Sequence, residues 1–447
     1  MSDLLAARAQ MGTSLAFHII FSALGVGLPL LFCIAEGLAL KTKNRDWMLL
    51  TRRWSKGAAI LFAIGAVSGT ILSFELGLLW PTFMDFGGGV IGYPFMLEGF
   101  AFFLEAIFLG LYLYGWNRLS PRAHWLCSFP VWISALVSAW FVVSANAWMN
   151  TPTGFVLKNG RPVDIDPIQA MLNPSTPYET IHMMLACYVA TGFAVAAVYA
   201  WGILRGKRDN YHRKGLMIGM LMAVIATPLQ IISGDFNARF LSDAQPTKFA
   251  AMEAVFHSGN GLPITIGGLV DPDNRTVHYG IELPKLLSVL AKGDPNAPLK
   301  GLDQFAPSDW PNIPLVHLSF DVMVGCGFFG LLVAAVFWIS TAIKRRIPLN
   351  RVLLWGVVIA GPLAFLAIET GWMVTELGRQ PWTIVGFLRT ADAATPAPWV
   401  TISFLVFSLV YILLAVALIG LLLWVARSPM PQVGMPGQEQ PVEKAGV

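Results

Sequence analysis

Apolar runs of about 20 residues recur along this chain, each closed by a short polar or basic segment. That length is what an α-helix needs to cross the hydrocarbon core of a bilayer. The pattern predicts nine spans, at 13–40, 57–79, 94–116, 129–149, 180–204, 216–235, 315–343, 352–375 and 399–426. The expected fold class is therefore an all-α polytopic membrane protein with about nine transmembrane helices. The chain divides into helices one to six in 1–235, a long connection in 236–314, helices seven to nine in 315–426, and a tail in 427–447. The tail is rich in Pro, Gly and charge and is read as disordered.

Composition agrees, with 55% hydrophobic and only 13% charged residues among 447. The net charge of +4 matters only through where the basic residues fall. Lys41, Lys43, Arg45, Arg52, Arg53 and Lys56 crowd the first loop, and Arg118 and Arg122 mark the third. Arg205, Lys207, Arg208, Arg213 and Lys214 fill the fifth, and Lys344, Arg345, Arg346 and Arg351 the seventh. By the positive-inside rule these odd loops are cytoplasmic, the N-terminus is outside and the long sixth loop is outside. The start of the chain lacks the basic stretch, apolar core and cleavage site of a removable signal, so the first helix is expected to be its own insertion signal. The four cysteines lack CxxC or CxxCH spacing, which argues against a disulfide framework, a zinc site or covalent haem attachment. No fixed-period repeat, nucleotide-binding glycine loop or nucleic-acid signature is present.

Ionisable residues inside the runs are the candidates for chemistry, because each costs on the order of 2.5–3.5 kcal/mol at the centre of a membrane helix. Glu369 and Glu376 lie two helical turns apart and share one face, as do Glu98 and Glu105. His18 lies in the first turns of helix one, His182 opens helix five, and Met323 lies near the outer start of helix seven. On the predicted topology all of them fall in the outer half of the membrane. His, Met and carboxylate are the axial ligands a protein offers to haem iron, and His182 with Met323 could sandwich one haem. Taken singly, each has a plainer reading, as a packing histidine or a core methionine. His317 competes on helix seven but points about 120° away from Met323. His124, His212, His257 and His278 are read as solvated. Ser138 is a possible relay partner for the helix-three acids, while Glu36 and Glu75 carry no assigned role. In the long loop, Lys248 and Glu253 could grip a polar head group and take its proton, or form a surface salt bridge. The segment from Pro263 to Leu283 is able to pair as a hairpin across Asp271–Asn274.

Gly378-Arg379-Gln380-Pro381-Trp382 after an acidic helix end, Glu98-Gly99 through Glu105, and Lys248 with Glu253 on one long outer loop together carry a resemblance. The chain resembles subunit I of the cytochrome bd-type quinol oxidases, from Arg8 through helix nine. The resemblance implies that His182 and Met323 hold a low-spin haem b. It implies that His18 and Glu376 are axial ligands of two high-spin haems, one haem b and the other haem d or a further haem b; which ligand serves which stays open. It places Glu98 beside those haems, Glu105 on a proton path with Ser138 nearby, and Arg379, Trp372 and Arg8 at the haem sites. Lys248 and Glu253 match the family's quinol-binding pair. The activity implied is quinol:oxygen oxidoreduction in the bacterial cytoplasmic (inner) membrane, with protons for water drawn from the cytoplasm and no pump. The partners implied are quinol, O2, membrane lipid and a subunit II, with a small single-helix accessory subunit as a further candidate.

Three departures stand out. Asp321 occupies a position where some members carry Arg, the spacing between the helix-three acids differs from some members, and the long loop is short for the family. The last resembles the branch that includes cyanide-insensitive oxidases, some with little or no haem d. Two rival readings are a proton-coupled transporter, which predicts broken helices and internal symmetry, and a haem-binding electron-transfer or sensing subunit that does not reduce oxygen.

Overall fold

Ser2 accepts the Leu5 N–H at 3.3 Å and opens the first helix, α1 (Asp3–Thr42). The computed structural model describes residues 2–429, so the expected disordered tail lies almost wholly outside the described residues. Side-chain caps of this kind start most of the long helices, each satisfying N–H groups that have no partner within the helix. Asn44 caps α2 (Arg45–Leu79). Trp80 alone then separates it from α3 (Pro81–Tyr114), whose first residue is a proline in the one helical position where its missing N–H costs nothing. Ser120 caps α4 (Pro121–Asn150). A hairpin of β1 (Val156–Lys158) and β2 (Arg161–Val163) and the short α5 (Pro167–Met171) lead to α6 (Thr176–Leu204). Asp209 caps α7 (Asn210–Ala244), which continues past residue 235 into the segment expected to be loop.

The long connection carries α8 (Pro246–Met252), five short strands and α9 (Leu286–Lys292). The strands are β3 (Gly259–Asn260), β4 (Ile264–Ile266), β5 (Leu269–Asp271), β6 (Thr276–His278) and β7 (Ile281–Leu283), with β8 (Pro298–Leu299) after α9. β5 pairs antiparallel with β6, and β4 with β7 outside them, so the hairpin across Asp271–Asn274 is present and its arms are interrupted at Gly267 and Gly268. β3 pairs with β8 and closes the loop's base. Then follow α10 (Ile313–Lys344) and α11 (Arg351–Gly378). β9 (Trp382–Ile384), β10 (Leu388–Arg389) and α12 (Thr390–Ala393) link to α13 (Val400–Arg427).

Among the described residues, nine long helices have the length and hydropathy that suit a membrane crossing. α1–α4 pack as one group and α6, α7, α10 and α11 as a second, joined where α1 and α4 meet α6. One core runs through both groups, from Phe32 and Tyr112 to Phe193, Met220, Phe337 and Val357. The α6–α7 seam is tight because Gly192 and Gly219 face the opposite backbone; a Cβ on either would stand 2.8 Å from a backbone nitrogen. Packing through small residues is how membrane helices approach closely without a hydrophobic driving force between them. α13 touches α1 and α2 and leaves most of its apolar side chains exposed, as a lipid-facing helix does.

Connections four, six and eight gather at one end of the bundle, here the loop end. Val385 N–H donates to Met149 O at 3.0 Å and Thr395 N–H to Leu79 O at 2.8 Å, knitting these segments together. At the opposite end the connections are short and carry most of the basic residues. Two histidines expected to be solvated there are not. His124 is buried, with Nδ1 2.7 Å from Glu36 Oε1 and Nε2 2.8 Å from Tyr112 O, while the Tyr112 hydroxyl donates to Glu36 Oε2 at 2.5 Å. His212 is held 2.9 Å from Asp209. A buried carboxylate needs such partners, so Glu36 drew His124 into the protein. His257 and His278 are exposed, as expected.

Candidate functional site

The last turns of α4 carry two amides, Asn146 and Asn150, on one face. Asn146 Nδ2 donates to Glu376 Oε1 at 2.5 Å, and the other oxygen of Glu376 takes the Arg379 Nη2. Asn150 Nδ2 donates to Glu179 Oε1 at 2.9 Å, while its Oδ1 accepts from Lys248 Nζ at 2.8 Å. Residues from α4, α6, α8 and α11 thus converge in one polar cluster beneath the loop end. Asn146, Asn150 and Glu179 were not singled out from the sequence. Two amides four apart in an otherwise apolar run were the signal that could have found them.

Lys248 and Glu253 are both buried, at 4% exposure each, which excludes the surface salt bridge. Among the described residues they do not pair with each other, and the Lys248 ammonium donates instead to Asn150 Oδ1. Burial, aided by the negative charge of Asp321, pushes Glu253 up to about 8. Burial brings Lys248 down to about 8 against the opposing pull of Glu179. Each is left able to change charge near neutral pH, as a proton-handling site requires.

The loop that carries this pair is tied to α10. Asp321 Oδ2 accepts the Gly267 N–H at 2.7 Å, and His317 Nδ1 lies 2.8 Å from Met252 O, beside Glu253. His317 is thereby occupied as a loop anchor. Met323, farther along α10, lies against α11 with its sulfur 3.0 Å from the point where a Cβ on Gly371 would stand. His182 lies similarly over Gly234 of α7, its Cε1 3.2 Å from such a Cβ, with Nδ1 3.0 Å from Ser233 Oγ and Nε2 3.0 Å from the Gln230 amide. His18 lies over Gly69 of α2, with Nδ1 2.9 Å from Ser68 Oγ. In all three places a glycine on the neighbouring helix makes room for a ligand-type side chain.

His18 is not in the first turns of its helix. Because α1 begins at Asp3, His18 lies roughly 22 Å along it. α3 likewise begins at Pro81, so Glu98 falls mid-helix and Glu105 in the second half. Glu105 is buried, and Glu98 accepts from Ser138 Oγ at 3.2 Å, so the serine partners Glu98 directly. Arg8 is half-buried near the start of α1 and Trp372 packs on the main core. Among the described residues, buried Arg379 has no partner for Nε and Nη1, and the buried Oε1 of Glu369 has none.

A family model described as cytochrome bd terminal oxidase subunit I matches residues 6–430. The chain belongs to that family. It is 36% identical over 433 residues to the putative cytochrome bd menaquinol oxidase subunit I of Bacillus subtilis, covering 96% of this chain and 97% of that one. It is 28% identical to the cytochrome bd-II ubiquinol oxidase subunit 1 of Escherichia coli, with 91% of each chain covered. The structure of the bd oxidase from Geobacillus thermodenitrificans matches with a TM-score of 0.91 and 40% identity, over 95% of this chain and 98% of that one.

As a cytochrome bd subunit I, the protein is part of a haem-containing terminal respiratory oxidase of the bacterial membrane, with quinol oxidase activity and a subunit II partner. Haem fits the residues present. The candidate ligands come from separate helices and stand singly, as axial ligands do when a porphyrin supplies the other four positions. The orphaned Arg379 Nε and Nη1 are the donors a propionate accepts from.

Proposed function

We propose that quinol is oxidised at the loop end, which faces the outside of the cell, and that Lys248 and Glu253 are the residues that receive it. The single observation that carries this is the burial of both without a bond between them. A buried cation and a buried carboxylate that do not bond to each other leave one to orient a quinol hydroxyl and the other to accept its proton. The α10 anchors at Asp321 and His317 hold the backbone around Glu253 in place for that transfer.

His182 and Met323 would hold a low-spin haem b, and His18 and Glu376 the high-spin haems, haem b with haem d or a further haem b. Arg379, Trp372 and Arg8 would line those sites. When bound there, haem supplies the electron transfer and the reduction of O2 to water. The chain's own residues fix ligand geometry through Ser68, Ser233 and Asn146, and exclude water by burial. Glu105 and Glu98, with Ser138, would move protons along α3 from the end opposite the long loop. With that end in the cytoplasm and the N-terminus outside, proton uptake on one side and release on the other separates charge without a pump.

A dithionite-reduced minus air-oxidised absorption spectrum, with extracted haems identified by chromatography and quinol-dependent oxygen uptake measured alongside, tests this. Low-spin b bands with uptake are expected, and a far-red chlorin band reports haem d. An assembled complex without haem would overturn the ligand assignments.

A further inference from the structure

Among the described residues, Lys248 meets no carboxylate directly. Its ammonium donates to Asn150 Oδ1, and the same amide's Nδ2 donates onward to Glu179 Oε1. With a cation on one side and an anion on the other, only one orientation of the amide satisfies both, oxygen toward Lys248 and nitrogen toward Glu179. The charged groups facing Lys248 are Glu179 from α6, Glu376 from α11 and Arg379 at the C-cap of α11, while α4 faces it with the amide of Asn150. Glu376 is already engaged by Asn146 and Arg379. Glu179 is therefore the anion left to balance Lys248. Gly378 lets the lysine stem lie against α11, since a Cβ there would stand 2.8 Å from Lys248 Cγ.

We propose that Asn150 and Glu179 are positioning residues of the quinol site, a relay that keeps Lys248 charged and aimed while its remaining N–H groups stay free for substrate. This rests on the reading of Lys248 as a quinol residue. A direct Lys–Glu pair would occupy the ammonium and leave it less able to release product. An amide between them transmits the anion's field and leaves most of the donor capacity unused. Asn150 also lies one turn from Asn146, so one turn of α4 positions both the quinol-side lysine and Glu376.

The test is steady-state oxidation of a water-soluble short-chain quinol by the intact detergent-solubilised oxidase across pH, comparing Glu179→Gln, Glu179→Asp, Asn150→Leu and Lys248→Met with the parent. Burial already holds Lys248 near 8. Losing Glu179 should move the alkaline fall of kcat/KM toward lower pH by about one unit, so that quinol KM rises about twofold near pH 7 and about tenfold at pH 9. KM should change more than kcat, and the conservative Glu179→Asp should restore part of the limb. The haem absorption spectrum reports assembly. Where Glu179→Gln fails that check, Asn150→Leu reads the same limb. Superimposable profiles for the parent, Glu179→Gln and Asn150→Leu, with KM raised in Lys248→Met, would overturn the relay and leave the quinol reading intact. An unchanged KM in Lys248→Met would instead overturn the quinol reading itself.

Discussion

The sulfur of Met323 on α10 lies 3.0 Å from where a Cβ on Gly371 of α11 would stand. That separation is tighter than ordinary contact, so the glycine sets the position of the methionine. Gly371→Ala should therefore displace the sulfur by a few tenths of an ångström, and Gly371→Val by much more. The expected outcome is a weakened low-spin signature in the reduced-minus-oxidised spectrum, partial in the alanine variant and near-complete in the valine variant. An unchanged low-spin spectrum in Gly371→Val would remove Met323 from the ligand set.

With Glu253 as the proposed acceptor of the quinol proton and Lys248 as the proposed orienting group, the reaction should have a pH profile with two limbs. The carboxyl must be ionised to accept a proton, and burial holds it at about 8, so kcat/KM should climb as pH rises toward that value. The ammonium must stay protonated to orient quinol, and it too sits at about 8, so kcat/KM should fall above it. A bell with its maximum near 8 follows. Glu253→Gln should abolish the acid limb and lower turnover on the order of a hundredfold, the usual contribution of a positioned base. A variant with full activity and an intact acid limb would rule out Glu253 as the acceptor.

Much of this architecture is legible in the sequence because membrane helices announce themselves. A lipid-exposed backbone must satisfy its own hydrogen bonds, so each crossing needs a long apolar run, and all nine expected spans coincide with long helices. Helix ends are less legible. α1, α2 and α3 extend well beyond their apolar runs at the N-terminal side because the polar segments there continue the helix to a cap or a proline. Partners between helices are least legible. Nothing in the local pattern around His124 shows that Glu36, on another helix, will bury it. The same holds for Asn150, whose importance lies in Lys248 and Glu179 being brought to it from two other elements.

Glu105 is buried on the face of α3 that also carries Glu98, one step of about 10 Å along the helix. A relay needs a group that can both take and give a proton, so Glu105→Leu should lower oxygen uptake at least tenfold, while Glu105→Asp retains part of it. Ser138→Ala removes only a neutral donor to Glu98, a bond of about 1 kcal/mol, and should cost severalfold at most. Proton uptake by oriented proteoliposomes during turnover separates a relay from a structural role. Should Glu105→Leu keep both turnover and uptake, protons must enter elsewhere.

Asp321 does two things that one pair of substitutions can separate. Its carboxylate accepts the Gly267 N–H at 2.7 Å and so pins the long loop, and its charge lies two residues from Met323. Asparagine keeps an acceptor for Gly267 and removes the charge; alanine removes both. An anion favours the oxidised, more positive state of a nearby redox centre. A unit charge roughly 10 Å away in a medium of effective dielectric about 20 contributes on the order of 1 kcal/mol, or tens of millivolts. Asp321→Asn should therefore raise the low-spin haem potential by that order and leave quinol KM close to the parent value. Asp321→Ala should raise the potential similarly and also raise KM, because the backbone near Glu253 loses one of its two ties to α10, the other being His317. A spectroscopic redox titration of both variants reads the first effect and steady-state kinetics the second. Equal potentials in parent and Asp321→Asn would remove the effect on the haem and leave the aspartate its loop anchoring and its charge on Glu253.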